Sequence, residues 1–239
     1  MKWLSIDSPL MQTLSKIADL MWLNILTIFC CIPIITIGAS LTAMNYMTLK
    51  IVRDEETYIT KGFFKSFLQN FRQATIIWLG LLIIAAILGV DYFLVMDMTN
   101  TLGTVVGLAV GAAAVLVALI ALYAFPVLAK FDNTTWQTVK NAFVMSLMQF
   151  PKTLVIFFTY AVSFCILFFA FEWFPLFLFV GISGPGWVTA KMCNKLFAKL
   201  EEQIAAAQGP KEEEEEQGED ERIFRDEITV DGTEEDSTK

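Results

Sequence analysis

Five apolar runs divide the first two hundred positions of the chain, at residues 17–39, 74–94, 101–128, 153–171 and 174–197. Each is about as long as a bilayer crossing requires, roughly 20 residues. The pattern predicts an all-α polytopic membrane helix bundle with about five transmembrane helices. Two of the runs carry helix breakers. Pro33 and Gly38 interrupt the first, and Gly181, Gly184, Pro185 and Gly186 interrupt the last. Proline removes a backbone donor, so such breaks are expected only where other groups re-satisfy the freed carbonyls. Only Glu172 and Trp173, with Pro175 behind them, join the fourth and fifth runs, which predicts a tight antiparallel pair.

Between the runs, two polar segments repeat a different pattern. Over residues 60–73, Phe63, Phe67 and Phe71 recur every four positions with Phe64 and Leu68 alongside, while Lys61, Lys65 and Arg72 fall together on the other side. Residues 138–150 place Val139, Phe143, Val144, Leu147 and Met148 on one stripe. Both read as amphipathic helices. An offset of 80 superposes Lys50 on Lys130, Phe63 on Phe143, Ser66 on Ser146, Gln69 on Gln149 and Arg72 on Lys152. Residues 40–94 and 120–174 thus form a candidate parallel internal repeat. Each amphipathic helix is open to two readings: it lies in the membrane interface, or its apolar stripe (Phe63, Phe64, Phe67, Phe71, Phe143, Leu147) docks a partner.

Charge supplies the orientation. Lys50, Arg53, Lys61, Lys65 and Arg72 follow the first run, Lys130, Lys140 and Lys152 the third, and Lys191, Lys195 and Lys199 the end of the fifth. The opposite loops, 95–100 and 172–173, hold no Lys or Arg. Cytoplasmic loops collect such residues, so the C-terminus is expected inside and, with five crossings, the N-terminus outside. If the segment at Pro33 turns back, the N-terminus moves inside. Trp22 and Trp173 then mark outer ends and Trp78 an inner one.

Composition adds the membrane character and an acidic end. The 239 residues are 56% hydrophobic and 18% charged, with a mean hydropathy of +0.58 and no histidine. The missing imidazole excludes Ser-His and Cys-His nucleophile pairs and His-ligated metals. Of the net −8, residues 209–239 carry −10, with 14 Asp/Glu and 4 Lys/Arg, and the rest carries +2. Residues 201–239 read as a disordered acidic cytoplasmic tail beyond a 1–200 transmembrane domain. Cys30, Cys31, Cys165 and Cys193 have no CxxC spacing and read as buried free thiols. Lys16 and Asp19 are spaced to pair on one helix face. Asn24, Thr36, Asn45 and Ser183 are the deep polar positions, read as helix-to-helix hydrogen bonders. Gly103, Gly107 and Gly111 form a row suited to close packing, within the chain or in a homo-oligomer. No phosphate loop, catalytic pair or metal set is present, and no cofactor or nucleic acid is expected.

Leu23-Asn24, then Ile32-Pro33-Ile34-Ile35-Thr36-Ile37-Gly38-Ala39, then Asp54-Glu55-Glu56, the Phe63–Phe71 helix, Asn141-Ala142-Phe143 and Phe150-Pro151-Lys152-Thr153-Leu154 follow one another in an order that resembles the YesL-like family of bacterial integral membrane proteins. The resemblance runs from about Leu10 to Leu200 and omits the acidic tail. Its function is not established. The resemblance implies the cytoplasmic membrane of a Gram-positive-type bacterium. It also implies gene neighbourhoods rich in carbohydrate ABC-transporter components and sensor kinases, but supplies no site residues. The expected function is a non-enzymatic membrane accessory or regulator associated with carbohydrate uptake or its sensing. Its partners would be the bilayer and one of those neighbours. The alternative is a small transporter whose path is lined by the broken first and fifth runs. Asn24, Pro33, Thr36, Gly38, Gly184, Pro185 and Gly186 are the candidate helix-break and structural residues.

Overall fold

A computed structural model describes residues 9–55, 58–96, 98, 100–169 and 174–208. Among them the fold is all-helical: α1 (Pro9–Cys31), a short 3-10 turn (Ile34–Thr36), α2 (Ile37–Val52), α3 (Ile59–Met96), α4 (Thr101–Lys130), α5 (Thr135–Met148), α6 (Phe150–Phe169), α7 (Phe174–Val180) and α8 (Ser183–Gln208). Three helices are long and apolar enough to cross a membrane, Leu10–Cys31, Ile59–Met96 and Thr101–Lys130, and a fourth span arises if the bent α5–α6 pair counts as one. The apolar helices fit an integral membrane protein. The chain divides into two units, Met1–Asn194 and Lys195–Lys239. In the second unit α8 runs on to Gln208, past the boundary expected at residue 200. The acidic run and the Glu172–Trp173 connection lie outside the described residues.

The first apolar run does not cross as one helix. Pro33 ends α1, and Thr36 Oγ1 reaches the carbonyls of Cys30 (2.6 Å) and Pro33 (2.7 Å), covering the exposed helix end. The chain then turns back as α2. At the far end Lys16, near the start of α1, forms an ion pair with Asp54, just beyond α2. The pairing of Lys16 with Asp19 expected from spacing gives way to this longer-range partner. α2 closes with Glu55 N–H on the Lys50 carbonyl (3.1 Å) and Asp54 N–H on that of Ile51 (3.4 Å). This is a Schellman cap, with Asp54 taking the left-handed position (φ 57°).

The hairpin lies along the first half of α3. Gly38 marks the closest approach: a Cβ there would meet the Ala74 carbonyl oxygen at 2.5 Å and Trp78 Cβ at 2.7 Å. Leu23, Ala43, Met44, Met47, Ile51 and Phe63 form the buried core between these helices. Two indoles fasten the hairpin to α3, Trp22 to Thr60 Oγ1 (2.9 Å) and Trp78 to the Ile34 carbonyl (2.8 Å). Turning back therefore puts Trp22 beside the basic start of α3, away from the outer end expected for it, and Trp78 beside the hairpin tip.

The separate interfacial helix expected at 60–73 is the first half of α3, which continues without a break for 38 residues. Its equivalent in the candidate repeat does break: α5 and α6 meet at 103°. Pro151, at the offset of 80 from Phe71, explains the difference. Its ring collides with the carbonyl four residues earlier, on Leu147, so α5 cannot run on. The bend is fixed by Thr153, whose hydroxyl donates to the Ser146 carbonyl (2.9 Å) and accepts from Tyr123 (3.0 Å). Of the cysteines, all unpaired, Cys193 is buried but Cys165 is exposed.

Candidate functional site

The second break lies between α7 and α8 at Gly181-Ile182, the front of the Gly181–Gly186 stretch expected to form it, and the Gly184-Pro185-Gly186 triplet lies beyond it. That triplet belongs to the first turn of α8, where proline is tolerated because the early N–H groups have no helical acceptor. Gly186 presses on α2, since a Cβ there would sit 2.4 Å from Met44 Sδ, and Gly184 approaches Val180. Pro185 is buried, and its carbonyl accepts from Thr189 Oγ1 (2.9 Å).

One side chain bridges this break. Asn24, fully buried on α1, donates through Nδ2 to the carbonyls of Phe177 (3.0 Å) and Leu178 (2.7 Å), at the end of α7. Its Oδ1 accepts from the N–H groups of Ile182 and Ser183 (both 2.8 Å), at the start of α8. A primary amide has two donors and an acceptor oxygen with two lone pairs, and all four capacities are used. Ser163 on α6 donates to the Gly181 carbonyl. The two half-helix ends thus meet groups of the protein itself.

A cavity of about 780 Å³ opens beside the break, among α1, α2, α3, α4, α6 and α7. Its wall includes Cys31 and Ile37, on either side of the first break, and Gly181 and Ile182, at the second. Phe125, Phe157, Phe164 and Phe177 make most of it apolar. Of the polar wall groups, Trp78 donates to the Ile34 carbonyl and Ser163 to the Gly181 carbonyl. Asn45 is satisfied on one side only. It is 6% exposed and gives Nδ2 to the Leu41 carbonyl (2.8 Å), leaving Oδ1 buried without a partner.

The aromatic stripe is split by the fold. Phe63 is fully buried and Phe67 packs against the same core, their rings stacked at 6.2 Å. Phe64 and Phe71 remain exposed, as does Leu68 (71%). On α5, Phe143 is half-buried, while Leu147 and Met148 are exposed. Gln73 Nε2 donates to the Asn133 carbonyl (2.6 Å), which tethers the loop before α5 to α3 across 60 positions of sequence. Pro126 lies inside α4, a break in the backbone ladder that is visible in the sequence of the third apolar run.

Residues 20–92 match the family model described as a protein of unknown function, DUF624. The match covers less than half of the chain. It contains Asn24, the Pro33–Gly38 turn, α2 and most of α3, so the likeness falls on the hairpin and the helix that clasps it. No curated protein and no solved structure matches the chain.

Proposed function

We propose that this chain is a non-enzymatic accessory or regulatory protein of a bacterial cytoplasmic membrane, with its C-terminus inside, working beside a carbohydrate transporter or its sensor. The observation that carries the proposal is the length of α3. At 1.5 Å per residue its 38 residues extend about 57 Å, against a hydrocarbon core of about 30 Å. Residues 74–94 suffice to cross, and the surplus half at the basic end still turns Phe64, Leu68 and Phe71 outward. Lys61, Lys65 and Arg72 flank them, all exposed. Aromatic side chains with basic neighbours suit a partner's surface, where a well-packed ring contributes about 2 kcal/mol or more. The carbohydrate association comes from the family resemblance alone.

The test is co-purification from membranes in mild detergent. Phe64→Ser combined with Leu68→Ser should lower the yield of a co-purifying transporter component or sensor kinase at least about tenfold. Expression and elution volume should stay unchanged, since neither side chain is in the core. Undiminished yield would remove the docking role from this face. The cavity between the two breaks favours a second reading, a small transporter, but its apolar wall suits an amphiphile better than a sugar, whose hydroxyls would be left unpaired there.

A further inference from the structure

The geometry points to a binding site for a single-chain amphiphile carrying a hydrogen-bond donor, seated in the α1–α2–α4–α6–α7 cavity with the donor on Asn45 Oδ1. This goes beyond the docking reading and does not rest on it. Four observations support it. The volume of about 780 Å³ lies within the roughly 300–1,000 Å³ of ordinary small-molecule sites. The wall is apolar almost throughout, and such cavities stay dry and take apolar guests. Asn45 Oδ1 is a buried acceptor that no protein group satisfies, and leaving an amide oxygen unpaired away from water is unfavourable. Finally, α4 contributes Pro126 and Leu122 to the same wall, and Pro126 has no N–H to offer the Leu122 carbonyl four residues before it. A hydroxyl or amide on the ligand would complete the hydrogen bonding that the helices leave open on this wall, while its chain fills the space between Phe157, Phe164 and Phe177.

Water does not fit this description, because one or two acceptors in an aromatic chamber fall short of the roughly three partners a buried water keeps. A sugar does not fit either, having many donors and acceptors and only one or two places for them. A lipid drawn from the bilayer and a free long-chain alcohol share the required chemistry.

Trp78 stands in the wall and reports occupancy. The full chain in detergent is titrated with bromoundecanol, bromine at the chain end, which quenches an indole it touches. The expected result is a saturable loss of emission that Trp78→Phe removes. Ala161→Phe, which fills the chamber, should abolish it too. The methyl ether of the same chain, lacking the donor, should bind about tenfold more weakly, and Asn45→Val should bring the alcohol to the ether's level. Quenching that never saturates, or that survives Ala161→Phe in a protein of unchanged elution volume, would overturn the site. Equal affinity for alcohol and ether would overturn the role of Asn45, and does so without relying on a variant that must fold. Native mass spectrometry of protein extracted from membranes separates the sources. A retained acyl-chain species with a free hydroxyl assigns the site to bilayer lipid. Empty protein that then takes up the alcohol assigns it to a free amphiphile.

Discussion

At the residue scale, Asn24 shows how one polar side chain can hold a broken helix inside an apolar bundle. Its amide meets two carbonyls and two N–H groups at once. Removing it strands these backbone groups, each costing about 1–3 kcal/mol when buried and unpaired. Asn24→Leu is therefore expected to lower stability by several kcal/mol, although it makes α1 more apolar. Asn24→Asp keeps the acceptor, loses both donors and places a charge in the interior, so it should be no better. Thermal unfolding in detergent measures this, and a transition within a degree or two of the parent would show that the break holds itself. Sequence reading singled out Asn24 as a deep polar position. It could not show what Asn24 bonds, because those partners lie more than 150 positions away.

At the scale of elements, glycines distinguish contact from open space. Gly38 lies where the backbones of α2 and α3 touch, and the atom in the way is a carbonyl oxygen that cannot swing aside. Gly38→Ala should destabilise by about 1–3 kcal/mol through overpacking. Gly111 has nothing within 4 Å of the added methyl, so Gly111→Ala should be neutral or gain up to about 1 kcal/mol from helix propensity. Denaturant midpoints of the two variants check the pair, and the reverse ranking would misplace the α2–α3 contact. Much at this scale was legible: the apolar runs, Pro33 as a breaker and the Phe-rich helix. The continuity of α3 was not, because an amphipathic stripe followed by an apolar run has the same periodicity whether or not the helix bends between them. The bend appears only where Pro151 stands in place of Phe71.

At the scale of the whole molecule, the Lys16–Asp54 pair marks where the start of α1 meets the end of α2. Because α1 and α2 form a hairpin, the start of α1 shares an end with Lys50, Arg53 and the start of α3, and the basic residues should place that end inside. A reporter fluorescent only in the cytoplasm should therefore be active at either end of the chain. One that matures only outside should be active when inserted after Asn100. An N-terminal reporter active only outside would mean that the hairpin is crossed. Local sequence left this open, since charge counting gives Lys16 no side until its partner is known.

The hairpin also constrains how the chain enters the bilayer during synthesis. α2 is 16 residues long, about 24 Å, too short to span. It hides Ser40, Thr42, Asn45 and Thr48, all buried in the finished fold. Exposed to lipid alone, that row would be unfavourable, and the packing that covers it is supplied in large part by α3. The ribosome must therefore deliver residues up to about Trp78 before α2 has a stable place, and the insertion machinery has to shelter the nascent hairpin until α3 emerges.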